Sequence, residues 1–112
     1  MRENDKQFKS VIMVDLDECI LISPENRDYT KSKPMMHRIE KINKLYDEGH
    51  MIILWTARGV ITGGNHFWTT MKTLTDAGVR FHELRMNKPF YDLFIDDKNI
   101  NSEEFFKDVD VK

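Results

Sequence analysis

The sequence predicts an α/β domain built around a mainly parallel β-sheet. Two continuous apolar runs, residues 11–14 and 51–55, lack polar alternation, which is typical of strands buried on both faces of a parallel sheet. Stretches with helical spacing of apolar residues come after these runs, as expected for βαβ units. The chain has 112 residues, so we expect a single domain over residues 1–112.

The first half of the chain predicts a strand, a loop and a helix. The first apolar run ends at Asp15 and is the first strand. Residues 23–33 are polar and predict a loop or a small hairpin. A helix is expected to begin near Pro34, since proline is tolerated in a first helical turn, and to stop at Gly49.

The second half repeats this pattern and adds two more strands. A glycine-containing loop follows the second strand, and Gly78 is expected to end the second helix. The predicted elements are, in order, a strand over residues 51–55, a helix over 65–77, strands over 79–84 and 92–95, and a short helix over 103–107 capped by Asn101 or Ser102.

The composition is that of a globular protein. Apolar residues make up 40% of the chain and charged residues 32%, and the net charge of −2 disfavours a non-specific grip on nucleic acid. The longest apolar runs have about five residues, too few to span a bilayer. The charged N-terminus lacks an apolar signal region, and a single cysteine, Cys19, fits a reducing compartment. We therefore expect a cytoplasmic protein without a membrane partner.

Acidic and hydroxyl side chains follow three of the predicted strands. Asp15, Thr56 and the pair Asp96-Asp97 stand at strand ends. In an open parallel sheet these ends meet at one edge, and ligands collect there. The sequence therefore predicts a single site at this edge.

The pair Asp15 and Asp17 carries most of the predicted chemistry. A bend after the strand would aim both carboxylates at one pocket, where a divalent cation such as Mg²⁺ relieves their repulsion. An aspartate can also act as a nucleophile, while a second one donates and accepts a proton. The alternative is a polar loop in which aspartate serves only as a turn former.

Three further groups fit an anion site. Thr56 offers a hydroxyl, and the backbone after it can cradle an anion. Arg58 and Lys88 add positive charge, although each can equally be a solvated surface residue. The two adjacent carboxylates of Asp96 and Asp97 require a bound cation, a basic partner or exposure to solvent.

Together these residues resemble four motifs of the haloacid dehalogenase (HAD) superfamily of phosphohydrolases. The matching stretches lie in the family's order over most of the chain and are residues 11–17, 52–56, 88–89 and 93–97. The resemblance implies a Rossmann-like core. The intervals between the motifs hold only a loop and one or two elements each, so it also implies the branch without a cap domain.

The resemblance also implies roles for single residues. Asp15 is the nucleophile that forms an aspartyl-phosphate, and Asp17 is the general acid and base. Thr56 and Ala57 bind phosphoryl oxygens, with Arg58 and Lys88 as further substrate-binding groups. The implied Mg²⁺ ligands are Asp15, Asp17, Asp97 and Asp96, with Asp97 favoured over Asp96 as the direct acidic ligand.

One motif departs from the family pattern. Glu18-Cys19 stands where the family usually has Gly-Thr, which bears on the rate of reaction more than on the fold. Other stretches, including residues 45–50 and 88–98, resemble the small phosphatases of capsule and surface-polysaccharide biosynthesis. This second resemblance implies a sugar phosphate or a similar small phosphomonoester as substrate.

Two alternatives stay open. An uncapped site also suits a nucleotide or polynucleotide phosphatase, and Glu18-Cys19 also suits a catalytically weak protein that keeps the fold as a regulator or scaffold. Substrate specificity is expected to come from residues 23–33, from residues 59–66 including His66, or from a second subunit in a homo-oligomer.

Overall fold

The computed structural model describes residues 7–60 and 63–111. In this part of the chain a 3-10 helix (Tyr29–Lys31) lies between the second and third strands. The other elements are, in chain order, β1 (Val11–Asp15), β2 (Leu21–Ile22), β3 (Lys33–Pro34), α1 (Met36–Asp47), β4 (Met51–Trp55), α2 (Phe67–Asp76), β5 (Glu83–Arg85), α3 (Ser102–Phe105) and α4 (Lys107–Asp110).

A parallel sheet of three strands organises the molecule. Its order is β1-β4-β5, and the register pairs Asp15 with Trp55 and Trp55 with Arg85. The three strands therefore end side by side, as parallel pairing predicts. The N–H of Thr56 donates to the Arg85 carbonyl at 3.0 Å, which extends this alignment by one residue.

A small hairpin follows β1. Strands β2 and β3 pair antiparallel, with Leu21 opposite Pro34, and the intervening loop contains the 3-10 helix. The prediction of a small hairpin in this region is confirmed. Residues 23–32, between these two strands, form the hairpin loop.

Helices cover the sheet and close the core. Helix α1 buries Ile39 and Ile42, α2 buries Leu74, and Phe106 is buried at the junction of α3 and α4. The C-terminal helices are tied to α1 by Arg38, whose guanidinium pairs with Asp110 at 2.7 Å. Burial of these apolar side chains is the main source of stability in a domain of this size.

Most predicted elements are confirmed with small shifts. Strands β1 and β4 and helix α1 lie where the apolar patterns predicted them, and Gly49 after α1 has a φ of 104°. Asn101 caps the first C-terminal helix by accepting from the Glu103 N–H at 2.9 Å. The third strand is shorter than predicted and begins at Glu83, because Val79 belongs to the turn that closes α2 on Leu74.

The predicted fourth strand is wrong. Residues 92–95 form no strand, and Leu93 and Ile95 are 76% and 85% exposed. An apolar run becomes a strand only where a neighbouring edge takes up its backbone hydrogen bonds. In the described residues the outer edge of β1 has no strand beside it, and residues 92–95 pair with no strand.

Neither interval between the sheet strands holds an inserted domain in the described ranges. Only the hairpin and α1 lie between β1 and β4, and only a loop and α2 lie between β4 and β5. The structure is thus a small α/β fold without an identifiable cap. None of the helices described has the length and apolar character needed to cross a membrane.

Candidate functional site

A cleft of ≈ 330 Å³ opens at the carboxyl end of the sheet. Parallel pairing brings the ends of β1 and β4 to this cleft, so that Asp15 and Ala57 line it together. Six further side chains that bear on its chemistry also line it: Asp17, Arg27, Tyr29, Arg58, Lys88 and Tyr91. The predicted edge of the sheet is therefore where the open cleft lies.

Asp15 stands at the last position of β1 and is paired with a lysine. Its carboxylate lies 3.4 Å from the Lys88 ammonium nitrogen, and its side chain is partly exposed to the cleft. Burial raises the pKa of Asp15, and the positive charge of Lys88 offsets this effect only in part. The sheet thus holds a carboxylate partly desolvated at an open surface.

Lys88 is held at the site by its backbone and by aromatic rings. Its N–H donates to the Thr56 carbonyl at 3.1 Å, and its ammonium lies 5.8 Å and 5.2 Å from the ring centroids of Trp55 and Tyr91. Burial alone would lower the pKa of Lys88, but the Tyr91 hydroxyl and the Asp15 carboxylate outweigh it and raise that pKa. Lys88 is therefore a fixed positive charge beside Asp15.

Asp17 is held by a buried arginine. The Arg58 side chain is 0% exposed, and it donates to Asp17 Oδ1 at 2.7 Å and to Oδ2 at 3.0 Å. The hydroxyl of Ser23 also donates to Asp17 Oδ1. This forked geometry fixes the plane of the carboxylate, because guanidinium and carboxylate pair through two parallel hydrogen bonds.

Every remaining contact of Arg58 is with the protein. Its Nη1 donates to Thr70 on α2 at 3.0 Å, and its Nη2 donates to Ser23 and Ser32 at 3.2 Å and 3.1 Å. The Tyr29 ring covers the guanidinium at 4.2 Å. The resemblance implied that Arg58 is a substrate-binding residue; the structure places it among the residues that line the cleft, with its side chain 0% exposed and bonded to Asp17.

Thr56 and Ala57 follow directly after β4, but Thr56 is not among the residues that line the cleft. Thr56 is buried, and its hydroxyl oxygen accepts from the Arg58 N–H at 3.2 Å. Ala57 lines the cleft directly. These two residues thus form the turn that leads from the sheet to the buried arginine.

Asp96 and Asp97 are not brought to the cleft. The Asp97 carboxylate is 79% exposed and pairs with Lys98 at 3.1 Å, while Asp96 accepts from the Asp97 N–H at 2.9 Å. The reason is the missing fourth strand, which would have carried them to the sheet edge. Across the described ranges, no three histidine, cysteine, aspartate or glutamate side chains form a group that could hold a metal.

Positive side chains outnumber carboxylates at the cleft, since Lys88, Arg58 and Arg27 line it together with Asp15 and Asp17. Lys88 faces Asp15 and Arg58 faces Asp17, so each of the two carboxylates has a cationic partner. The repulsion from which the sequence analysis predicted a cation is thus already relieved by the protein. Two carboxylates still offer the oxygen ligands that Mg²⁺ prefers.

Sequence reasoning missed the residues that support Arg58. Ser23 and Ser32 stand at the two ends of the hairpin loop and bond to each other at 2.9 Å, and Thr70 lies on α2. A signal was present in Arg58 itself, since an arginine next to an apolar strand needs acceptors if it is buried. Nothing in the chain order indicated which hydroxyl groups would supply them.

His66 lies beside the cleft and does not line it. It faces a second, smaller cavity of ≈ 160 Å³, and its ring meets Tyr29 edge to face at 4.9 Å. The loop around it is tightly wound, with Gly59 and Gly64 in close contact. His66 thus packs against the residue that covers Arg58.

Comparison with known proteins bears on the fold. No protein-family model matches the chain, and no curated protein matches it. The crystal structure of a Vibrio cholerae protein described as an MCSG target is similar, with a TM-score of 0.77 and 23% sequence identity over 86% of each chain. At that identity the likeness shows a shared α/β fold.

Proposed function

We propose that this protein is a Mg²⁺-dependent phosphomonoester hydrolase of the HAD type. The favoured substrate class is a sugar phosphate or similar small metabolite of surface-polysaccharide biosynthesis. The observation that carries the proposal is the position of Asp15, which faces an open cleft beside Lys88 and near Asp17. A nucleophile, a cation and an acid–base group in one cleft are the parts that phosphoryl transfer needs.

The reaction uses Asp15 twice. One of its carboxylate oxygens attacks phosphorus, the bond between phosphorus and the ester oxygen breaks, and the leaving oxygen takes a proton from Asp17. The products are an aspartyl-phosphate and an alcohol. A water molecule then attacks the same phosphorus and passes its proton to Asp17, which releases inorganic phosphate and restores both carboxyl groups.

The other cleft residues act on charge and orientation. Lys88 offsets the negative charge of the phosphoryl oxygens, a role supported by its fixed position 3.4 Å from Asp15. The Ala57 N–H at the cleft wall orients those oxygens, and the buried Thr56 supports this turn by accepting from the Arg58 N–H. The transferring group is thereby held in line with Asp15, and most of the rate enhancement is expected from this positioning.

Magnesium fits the cleft residues in part. Asp15 and Asp17 are the carboxylates that would hold it, since Mg²⁺ often takes one or two protein carboxylates and completes its shell with water and phosphate. Bound there, it would neutralise charge on the transferring group. The further predicted ligands, Asp96 and Asp97, do not line the cleft.

The proposal is tested with 4-nitrophenyl phosphate and Mg²⁺. We expect turnover in the wild type and a loss of at least about 10³-fold in Asp15→Asn, which keeps the shape but removes the nucleophile. Asp76→Asn is the matched control, because Asp76 lies on α2 and pairs with Lys72 at 2.8 Å. Equal rates in wild type and Asp15→Asn would contradict the proposal.

A nucleotide phosphate is the second candidate substrate. The cleft is lined by Phe90 and Tyr91, both exposed, and an aromatic surface can stack a nucleobase as well as a sugar. A panel of sugar phosphates and nucleoside monophosphates separates the two, with kcat/KM as the measure. A preference for nucleotides that Phe90→Ala removes would favour the second candidate.

A catalytically weak scaffold is the remaining alternative. The observation in its favour is that Asp17 is already bonded to Arg58 and Ser23. The same turnover assay decides, since a scaffold would give no Asp15-dependent hydrolysis of any phosphate in the panel.

A further inference from the structure

Arg58 has the contacts of a residue that acts through another residue. Its side chain is 0% exposed and its guanidinium nitrogens donate to protein acceptors, although the residue borders the cleft. It donates to both oxygens of Asp17 and to three hydroxyl groups on separate parts of the fold, Ser23, Ser32 and Thr70. Arg58 thus links Asp17 to α2, and it adds to the link with the hairpin loop, whose Ser23 hydroxyl also bonds Asp17 directly.

We propose that Arg58 is a positioning residue that fixes the Asp17 carboxyl group for proton transfer to the leaving oxygen. The inference rests on the proposed phosphatase function and assigns Arg58 a role other than the substrate contact that the motif suggested. In this role Arg58 exchanges no proton and contacts no phosphate, and it acts only by orienting Asp17.

The bonding pattern distinguishes the two oxygens of Asp17. Oδ1 accepts from Arg58 Nη2 at 2.7 Å, from Arg58 Nε at 3.3 Å and from Ser23. Oδ2 accepts one bond, from Arg58 Nε at 3.0 Å. Because Oδ1 is saturated and Oδ2 keeps free lone-pair space, Oδ2 is the oxygen that carries the proton to and from the reaction.

Thr70 secures Arg58 from the side opposite Asp17. Its hydroxyl is buried on α2 and accepts from Nη1 at 3.0 Å, while Asp17 receives Nε and Nη2. The guanidinium is thus held at three nitrogens and its plane cannot rotate. Thr70 neither bonds Asp17 nor lines the cleft, so a substitution at Thr70 acts on both only through Arg58.

Comparing two leaving groups shows whether a positioned acid takes part in the reaction. 4-Nitrophenolate departs well without a proton, whereas phenolate needs one, so loss of acid positioning slows phenyl phosphate more than 4-nitrophenyl phosphate. The measure is the ratio of kcat/KM for the two substrates, because kcat/KM covers the steps up to release of the alcohol. A general loss of structure lowers both values and leaves the ratio unchanged.

Three single variants and one double variant test the inference. Arg58→Lys keeps the charge but loses the fork, and we expect it to change the ratio at least about tenfold against phenyl phosphate. Thr70→Val should change it in the same direction by about threefold or more. Thr73→Val is the matched control, since within the described part of the chain the Thr73 hydroxyl bonds only the Thr69 carbonyl, at 3.1 Å, and it should leave the ratio within about twofold.

The double variant isolates the pathway through Asp17. In an Asp17→Asn background Arg58→Lys should cause no further change in the ratio, because the acid is already gone. An unchanged ratio in both Arg58→Lys and Thr70→Val, or a further change in the double variant, would overturn the inference while leaving the phosphatase proposal intact. If Arg58→Lys does not fold, Thr70→Val decides. Absence of Asp15-dependent turnover in the wild type would overturn the phosphatase proposal first.

Discussion

The Asp15 carboxyl group is subject to two opposing conditions. As a nucleophile it must be ionised, but at the end of a strand it is partly buried, which disfavours the ionised form. Burial raises the pKa of this carboxyl despite Lys88, so its ionised form destabilises the folded state at neutral pH. We therefore predict that Asp15→Asn, which abolishes the proposed activity, raises the free energy of unfolding at pH 7. Urea denaturation of both proteins measures the difference.

The sign of this effect sets its pH dependence. Because the folded-state pKa lies above the ordinary value of 3.8, the folded protein binds the proton more tightly than the unfolded chain does. The wild type therefore loses stability as the pH rises through the folded-state pKa, and the asparagine variant does not. The advantage of Asp15→Asn should vanish at about pH 3, and a variant less stable than wild type at pH 7 would contradict the prediction.

Cys19 offers a second prediction for a single residue. Burial, and then the negative charge of Asp15, raise the pKa of its thiol from 9.0 to about 11. At pH 8 the reactive thiolate is then about 100-fold rarer than in an ordinary cysteine. We expect iodoacetamide to react correspondingly slowly with the folded protein and at the ordinary rate in 8 M urea, and equal rates in both conditions would contradict the prediction.

At the scale of elements, the loop after β4 depends on one close backbone contact. A Cβ on Gly59 would lie 2.2 Å from the Gly64 carbonyl oxygen, whereas a Cβ on Gly63 would meet nothing within 4 Å. Both glycines have positive φ, 83° and 76°, so both alanine variants carry the same backbone strain of about 1 kcal/mol. Only Gly59→Ala adds a clash.

The two glycines therefore form a matched pair. We predict that Gly63→Ala lowers the free energy of unfolding by about 1 kcal/mol and that Gly59→Ala lowers it by at least about 2 kcal/mol more. Chemical denaturation measures both. Gly59→Ala should also lower phosphatase turnover, because the loop begins at Arg58, and equal losses of stability in the two variants would show that the contact with Gly64 is not needed.

The elements that the sequence predicted well are those whose signal is local. Strand β4 and helix α1 follow from an apolar run and from helical spacing, and the parallel pairing of β1 with β4 follows from the helix between them. Residues 92–95 have an equally apolar run but form no strand. An apolar run shows only that a segment is apolar. Whether it forms a strand depends on whether the fold places a free sheet edge beside it.

The residues of the candidate site likewise fall into those that the sequence could place and those that it could not. Asp15, Ala57 and Lys88 could be placed at one cleft from the ends of the strands, since topology alone brings them together. The ion pair between Arg58 and Asp17 could not, because it depends on how the segments after β1 and β4 pack against each other in three dimensions. Thr70 was missed for the same reason, as its hydroxyl bonds Arg58 only through the packing of α2.

At the scale of the whole molecule, the outer edge of β1 has no strand beside it in the described residues, and this edge bears on how a metal ion is bound. Val11 and Met13 of β1 are exposed, and the N–H groups of residues 93–95 have no hydrogen-bond partner within the described part of the chain. If Asp97 ligates Mg²⁺ as the motif implies, binding must draw residues 92–95 to the outer edge of β1. Backbone hydrogen bonds would then form along this edge.

Amide hydrogen exchange measures this rearrangement directly. We predict that Mg²⁺ slows exchange at residues 93–95 by at least about tenfold in the wild type and in Asp96→Ala, and has no effect in Asp97→Ala. Slow exchange without Mg²⁺ would show that the edge is already paired. Turnover that depends on Mg²⁺ while exchange stays fast would instead place the ion on Asp15 and Asp17 alone, since a third carboxylate cannot reach the cleft unless its segment moves.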